Sequence, residues 1–161
     1  EKERFAKRSL WEDGARVPLI IMGPDIPKGQ VINKPVQLLD IYPTLLELCN
    51  LNPDPKHEGN SLVPLLKNKD TEWPHYSRTC FGPGNYAIIS EGYRFIQYND
   101  GSEEFYDHKI DPQEWYNVIA KPEYADVVGK HRNQVPMKRH AILGNGSTGH
   151  QSYEATEKDN H

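Results

Sequence analysis

The residues that most restrict the fold are Val17-Pro18-Leu19-Ile20-Ile21-Met22, a continuous apolar run that Gly23-Pro24 ends. A short run of this kind, with no polar alternation, is typical of a strand buried on both faces of a sheet. Such a strand needs neighbours with similar runs, and no second run of that quality follows in the chain. We therefore expect it to belong to an α/β sheet whose other strands lie upstream of Glu1.

The next pattern along the chain predicts a helix. Apolar residues between Leu38 and Leu51 recur at the spacing of one broad helical face. Asp40 is placed to cap this helix, and Pro43 fits its first turn, where a missing amide hydrogen costs nothing. Residues 59–66 then predict a loop that leads into a short apolar turn or helix.

Downstream of this region, β-forming residues predict a small antiparallel sheet. Tyr86–Ser90 and Tyr93–Tyr98 flank a two-residue turn, and Glu104–Asp107 follows a second turn signal as a third strand. The alternation in the second strand is mixed and leaves open which face is covered. Asp111 is placed to cap a turn, and Pro122 to Gln134 has the start and length of a helix.

Composition excludes several classes of function. The 161 residues carry 19 Lys and Arg against 23 Asp and Glu, a formal net charge of −4. This balance lacks the basic excess of nucleic-acid-binding proteins, so we expect no nucleic-acid partner. The longest apolar run is far shorter than the roughly 20 residues that cross a bilayer, so we expect no membrane partner. Only 36% of the residues are hydrophobic, which is little for an independent globular domain.

Motifs for common cofactors and nucleophiles are absent from the sequence. It contains no phosphate-binding loop, no G-x-S-x-G elbow and no metal-binding C-x-x-C or H-E-x-x-H spacing. Glu103 and Glu104 are adjacent in a predicted strand, so they point to opposite faces and do not form a catalytic pair. The seven histidines are interpreted as ordinary surface or loop residues, and a bridge between Cys49 and Cys80 stays open. We expect no metal ligands in this chain.

A basic cluster precedes the apolar run. Lys7, Arg8 and nearby Arg16 could stabilise an anion, because catalytic groups in open α/β sheets lie in loops at strand ends. On spacing alone, the solvated boundary of a buried strand is the better interpretation.

Several ordered motifs favour the functional interpretation of this basic cluster, because together they resemble the type I sulfatases, in particular the branch similar to iduronate-2-sulfatase. The matching stretches, in family order, are Phe5–Ile21, Gln37–Leu48, Gly59–Leu66, Tyr93–Tyr98, Phe105–Asp107 and Asp111–Asn117. The likeness extends from Glu1 to about Pro136.

The resemblance implies an alkaline-phosphatase-like α/β fold, of which this chain is the C-terminal portion. Residues 1–66 would end the catalytic α/β domain with one buried strand of the large sheet. Residues 67–136 would form a C-terminal subdomain of antiparallel sheet plus helix, and residues 137–161 a disordered tail. Type I sulfatases use a formylglycine nucleophile from a C/S-x-P-x-R motif and a calcium ion. Neither that motif nor the acidic calcium ligands are found in the sequence, so both are expected in a missing N-terminal half.

Three residues are candidates for contact with substrate. Lys7 matches the family lysine that contacts the sulfate group near the leaving oxygen. Arg78 and Asn85 lie in the predicted loop from Tyr76 to Tyr86, where related enzymes place a substrate-facing residue, and either side chain could hold a hydroxyl or acid group of a glycan. Many relatives have His where this chain has Tyr86, which leaves the sugar unidentified.

The resemblance predicts a fragment of an enzyme that hydrolyses sulfate esters, with sulfated polysaccharide as the substrate. The fragment alone is predicted to be inactive, because it lacks the nucleophile and metal ligands. Two alternatives stay open: a non-catalytic light chain that binds a glycan or partner, and a piece of a related phosphodiesterase or phosphonate hydrolase. The resemblance to type I sulfatases implies a secreted, periplasmic or lysosomal location.

Overall fold

The computed structural model describes residues 9–137, which contain four short helices and four strands. The helices are α1 (Glu12–Ala15), α2 (Ile41–Leu48), α3 (Val63–Lys67) and α4 (Ala125–Arg132). The strands are β1 (Ser77–Cys80), β2 (Tyr86–Ser90), β3 (Tyr93–Gln97) and β4 (Glu103–Asp107). Short 3₁₀ turns, Leu38–Asp40 and Pro122–Tyr124, lead into α2 and α4.

The four strands form one antiparallel sheet in the order β1-β2-β3-β4. The three strands predicted for this antiparallel sheet are confirmed. Gly92 in the β2–β3 turn adopts a φ of 87°, which glycine tolerates without strain. The additional strand β1 occupies part of the segment from Tyr76 to Tyr86 that was predicted to be a loop. Its four residues, Ser-Arg-Thr-Cys, carry no apolar alternation, because β1 is an edge strand with one paired side.

One face of the sheet packs against α4. Ile88, Phe95 and Phe105 alternate inward from three neighbouring strands and meet Val118 and Val128 in one buried cluster. Full burial of such side chains stabilises a fold by about 1.5–3 kcal/mol each. The predicted helix from Pro122 is therefore confirmed, and its apolar side closes this half of the core.

The opposite face of the sheet is also covered. Ala87, Ile96 and Tyr106 form a second buried cluster with Leu10 from the N-terminal segment. The sheet is thus enclosed on both sides, which explains the mixed alternation in β3: each of its faces meets a protein layer.

The predicted helix of residues 38–51 is confirmed in a shorter form, but the role expected for Asp40 is wrong. Its carboxylate does not cap α2. It accepts the amide hydrogens of Gln37 at 2.9 Å and Asn60 at 2.8 Å. Gly59 lies against this turn so closely that an added Cβ would stand 2.0 Å from the carbonyl oxygen of Leu39. Asp40 therefore joins the start of α2 to the loop before α3.

The run Val17–Met22 forms no strand among the described residues. Val17, Ile20 and Met22 are largely exposed. The strand predicted for this run is therefore not found in the part of the chain that the structure describes, where no neighbouring strand is present to pair with it and bury it. The outer side of α2 is similarly exposed at Leu45 and Tyr42. A continuous stretch of the chain, residues 17–51, therefore presents apolar side chains to solvent.

Two smaller predictions, on the cysteines and the histidines, are resolved by the structure. Cys49 and Cys80 are free thiols, so they form no bridge with each other. His131 is not a surface residue: it is buried in α4, with its Nε2 2.9 Å from Ser90 Oγ and its Nδ1 2.7 Å from the carbonyl oxygen of Val127. Among the helices described, none has the length and apolar character needed to cross a membrane. The predicted tail, apart from Met137, lies outside the described residues.

Candidate functional site

Lys7 lies outside the described residues, which begin at position 9. The site can therefore be built from the residues that hold the chain just after Lys7. Leu10 is 4% exposed and packs on β2, β3 and β4. The indole Nε1 of Trp11 donates a hydrogen bond of 2.7 Å to Glu104 Oε2 in β4. The segment that follows Lys7 is thus attached to the sheet by both apolar and polar contacts.

A buried arginine makes the strongest of these attachments. Arg94 lies in β3, is 2% exposed, and donates from Nη1 to the carbonyl oxygen of Leu10 at 2.8 Å. Its Nη2 pairs with the carboxylate of Glu12, and its Nε donates to Glu114 Oε1 at 2.6 Å. Charge-assisted hydrogen bonds of this kind are about twice as strong as neutral ones. One guanidinium therefore joins three segments that are distant in sequence.

Glu114 completes this group of residues, which we call the Arg94 cluster (Leu10, Glu12, Arg94, His108 and Glu114). The Glu114 side chain is buried and accepts the backbone amide of Glu12 at 2.9 Å, and His108 Nε2 lies 2.7 Å from its Oε1. Burial alone would raise the pKa of Glu114, but the hydrogen bond with His108 and the charge of Arg94 outweigh it, so this pKa lies below its ordinary value. Glu114 is thus an ionised carboxylate at neutral pH.

A second carboxylate, that of Glu104, lies on the same face of the sheet as Arg94. Glu104 accepts hydrogen bonds from Trp11, from Tyr98 at 3.2 Å and from Tyr106 at 2.9 Å. Burial and then the nearby charge of Glu104 raise the pKa of Tyr106, so its hydroxyl remains a donor across the physiological range. This network keeps the Trp11 ring fixed over the sheet.

The Arg94 cluster does not fit a calcium ion. Ligand atoms of Glu12, His108 and Glu114 lie within 4.8 Å of one another. However, the guanidinium of Arg94 already bonds both carboxylates, and it would be repelled by a cation between them. Calcium also prefers six to eight oxygen ligands, whereas this group offers a histidine nitrogen among few oxygens. The positive charge that these carboxylates hold is the arginine itself.

Arg78 lies on the other side of the sheet. Its register with Ile88 places the two side chains on the face that α4 covers, since directly paired residues share a face. The side chain lines a mainly polar groove, whose other lining residues are Gln37, Leu39, Glu58, Asn60, Pro74, His75, Tyr76 and Gln134. It is exposed and has no ion-pair partner among residues 9–137. The structure therefore presents Arg78 as an accessible cation in a polar groove.

Asn85 has a different environment from Arg78. Its Oδ1 accepts the amide of Asn99 at 3.0 Å, which joins the β1–β2 turn to the turn after β3. Its Nδ2 reaches the carbonyl oxygen of Pro83 at 3.4 Å. The lining of the groove does not include Asn85, so the structure does not bring these two candidates together. The side chain of Arg78 lies on one face of the sheet, and the Leu10 segment packs on the opposite face.

Sequence reasoning missed the Arg94 cluster. A signal was present, because an arginine between the apolar residues of a predicted strand must find acceptors once it is buried. Glu114 carried a second signal that only the backbone reveals: its φ of 57° is uncommon for a residue with a side chain. Which carboxylates meet Arg94 depends on contacts across 20 and 82 residues, and spacing does not encode them.

The architecture is that of the C-terminal part of an alkaline-phosphatase-like sulfatase. A solved structure of a 2-O GAG sulfatase superposes on 69% of this chain and 27% of its own, with 25% identity and a TM-score of 0.57. Residues 1–141 match the family described as N-sulphoglucosamine sulphohydrolase, C-terminal, and the chain belongs to that family. The predicted fold class and the resemblance to sulfatases are thereby confirmed.

Curated relatives agree with this assignment. A sulfatase of Formosa agariphila is 47% identical over 117 residues, which are 73% of this chain and 23% of that protein. An ulvan-active sulfatase of the same organism is 33% identical over 131 residues.

 The alignment with the ulvan-active sulfatase covers 74% of this chain and 26% of that protein. The chain therefore spans about a quarter of the length of the curated relatives that it matches. A binding light chain and a phosphonate hydrolase piece are not favoured by these relatives.

Proposed function

We propose that this chain is the C-terminal part of an enzyme that hydrolyses sulfate esters of polysaccharides. The observation that carries the proposal is the family match over residues 1–141. The substrate class is supported by two similar proteins, one named as ulvan-active and one as acting on the 2-O position of GAG. The branch similar to iduronate-2-sulfatase is part of the proposal, because the stretch Phe5–Ile21 follows the pattern of that branch.

The reaction would need groups that this sequence does not supply. We propose that the formylglycine nucleophile and the calcium ligands belong to a preceding part of the enzyme, and that residues 1–66 end its catalytic domain while residues 67–136 form the C-terminal subdomain. The exposed apolar side chains of residues 17–51 support this arrangement, since burying them needs a further protein layer. A secreted, periplasmic or lysosomal location is the corresponding proposal for the whole protein.

Lys7 would act electrostatically in the complete enzyme. Cleavage of a sulfate ester moves negative charge onto the bridging oxygen, and a fixed ammonium group stabilises that charge more in the transition state than in the ground state. The structure supports this role indirectly, because the chain three residues further on is buried at Leu10.

Arg78 would bind an anionic group of the glycan chain. Its exposed guanidinium lies in a groove that also carries neutral hydrogen-bonding side chains suited to sugar hydroxyls, beside Leu39, Pro74 and the carboxylate of Glu58. Because Arg78 and the Leu10 segment contact opposite faces of the sheet, we place Arg78 at a sugar distant from the reacting ester. Contact between Asn85 and substrate stays a prediction.

The test is an assay of the complete protein that contains this chain. We expect it to release sulfate from an aryl sulfate and from a sulfated polysaccharide, and the isolated 161-residue chain to release none. Phosphate monoesters and phosphonate monoesters serve as comparison substrates. Hydrolysis of a phosphonate with no sulfate release would assign the chain to the alternative enzyme class, and release of sulfate by the isolated chain would show that the nucleophile has been misplaced.

A further inference from the structure

We infer that the Arg94 cluster is a positioning device for the segment that carries Lys7, so that the C-terminal sheet sets the place of a catalytic group. This inference rests on the function proposed above. Glu12 and Arg94 are its central residues. Neither touches the substrate; they act through the backbone that runs from Glu12 back to Lys7.

The contacts define the segment at several points. Arg94 bonds the carbonyl oxygen of Leu10 and the carboxylate of Glu12, and Glu114 accepts the amide of Glu12. The backbone is therefore held at both residues 10 and 12, and Trp11 between them is held through its indole. A planar guanidinium with donors in a fixed fork orients its acceptors more strictly than an ammonium would.

Lys7 is close enough along the chain to depend on these contacts. It lies three positions before Leu10, which corresponds to at most about 10–11 Å of extended backbone. A displacement of about 1 Å at a reacting group can lower the rate by about 10²-fold. Loosening the backbone at residues 10–12 would therefore displace Lys7 even though the sheet itself stays folded.

Stability alone is a weak reason for this cluster. Buried ion pairs are often no more stabilising than apolar side chains of similar volume, because both charges lose their hydration. Glu114 also holds a left-handed backbone conformation, with a φ of 57°, while it makes these contacts. Such conformations are costly for residues with a side chain and occur preferentially at functional sites. Both observations favour a geometric role.

The test compares variants of the complete enzyme. Glu12→Ala removes the carboxylate from Arg94, whereas Glu114 remains to neutralise the guanidinium. We expect kcat for a sulfate ester to fall about 10-fold or more, with KM changed less than about 2-fold, because a transition-state interaction is lost. Glu12→Gln keeps an oxygen acceptor of similar shape and should restore much of the lost kcat. Glu91→Ala, which removes an exposed ion pair with Lys34 at 2.7 Å, is the matched control and should leave kcat unchanged.

A second pair of variants separates this inference from the proposed function. In a Lys7→Ala background, Glu12→Ala should lower kcat no further, since the group that it positions is gone. A Lys7→Ala enzyme with normal kcat would overturn the role of Lys7. A large loss on Lys7→Ala combined with normal kcat for Glu12→Ala would overturn only the positioning role. A fall in thermal stability with unchanged kcat would identify the cluster as purely structural.

Discussion

Glu114 offers a quantitative test of the buried cluster. The change Glu114→Gln removes a carboxylate that is 1% exposed and bonds Arg94 at 2.6 Å. Breaking a buried ion pair by removing one partner costs about 3–5 kcal/mol, because the other charge is left buried. Glu12 still pairs with Arg94, so we expect the lower part of this range, about 3 kcal/mol.

Chemical denaturation of the folded protein, followed by fluorescence of Trp11 over the sheet, measures the change in unfolding free energy. The control is Glu103→Gln, which weakens an ion pair of Glu103 with Arg132 that is 2.6 Å long and partly exposed. Such pairs contribute about 0–1 kcal/mol. If Glu114→Gln costs no more than Glu103→Gln, the reasoning about burial at Arg94 is wrong.

Three further predictions concern other parts of the molecule. Burial lowers the pKa of His131 below its ordinary value, so the unfolded chain binds more protons than the folded chain and the free energy of unfolding should fall as pH drops below about 6.5. Denaturation at several pH values measures this dependence, and His131→Gln should reduce it. A pH dependence that His131→Gln leaves unchanged would contradict the burial of His131. Gly59→Ala should destabilise the protein by about 1–3 kcal/mol, because the new Cβ meets the backbone of Leu39, and thermal melting that matches the unsubstituted protein would refute this close approach. Arg78→Ala in the complete enzyme should raise KM for a sulfated polysaccharide but not for a small aryl sulfate, and an equal effect on both substrates would argue against a distant sugar site.

The sequence predicts the sheet well where side chains alternate around turns. Tyr86–Ser90 and Tyr93–Gln97 carry β-forming residues on either side of a glycine turn, and both became strands. Ser77–Cys80 could not be found in the same way, because a polar edge strand forms through pairing with β2 rather than through its own pattern. The run Val17–Met22 shows the converse: its composition suits a strand, but the described residues offer it no partner.

The residues of the candidate site also differ in whether the sequence predicts them. Lys7 comes from the resemblance of a continuous stretch, which a sequence can display. The pairing of Arg94 with Glu12 and Glu114 depends on how β3, α1 and the turn before Val118 meet in space. Composition indicates only that a buried arginine needs acceptors, and the fold decides which ones it finds.

We propose that this chain is the C-terminal part of a sulfatase whose nucleophile lies in a preceding part of the same polypeptide. Intact mass and N-terminal sequencing of the protein from its native source test it most directly. We expect a polypeptide about three times as long as this chain, since 117 aligned residues make up 23% of one curated relative and 131 make up 26% of another. It should contain a C/S-x-P-x-R motif whose first residue has become formylglycine. A native polypeptide of 18.5 kDa that begins at Glu1 would contradict it.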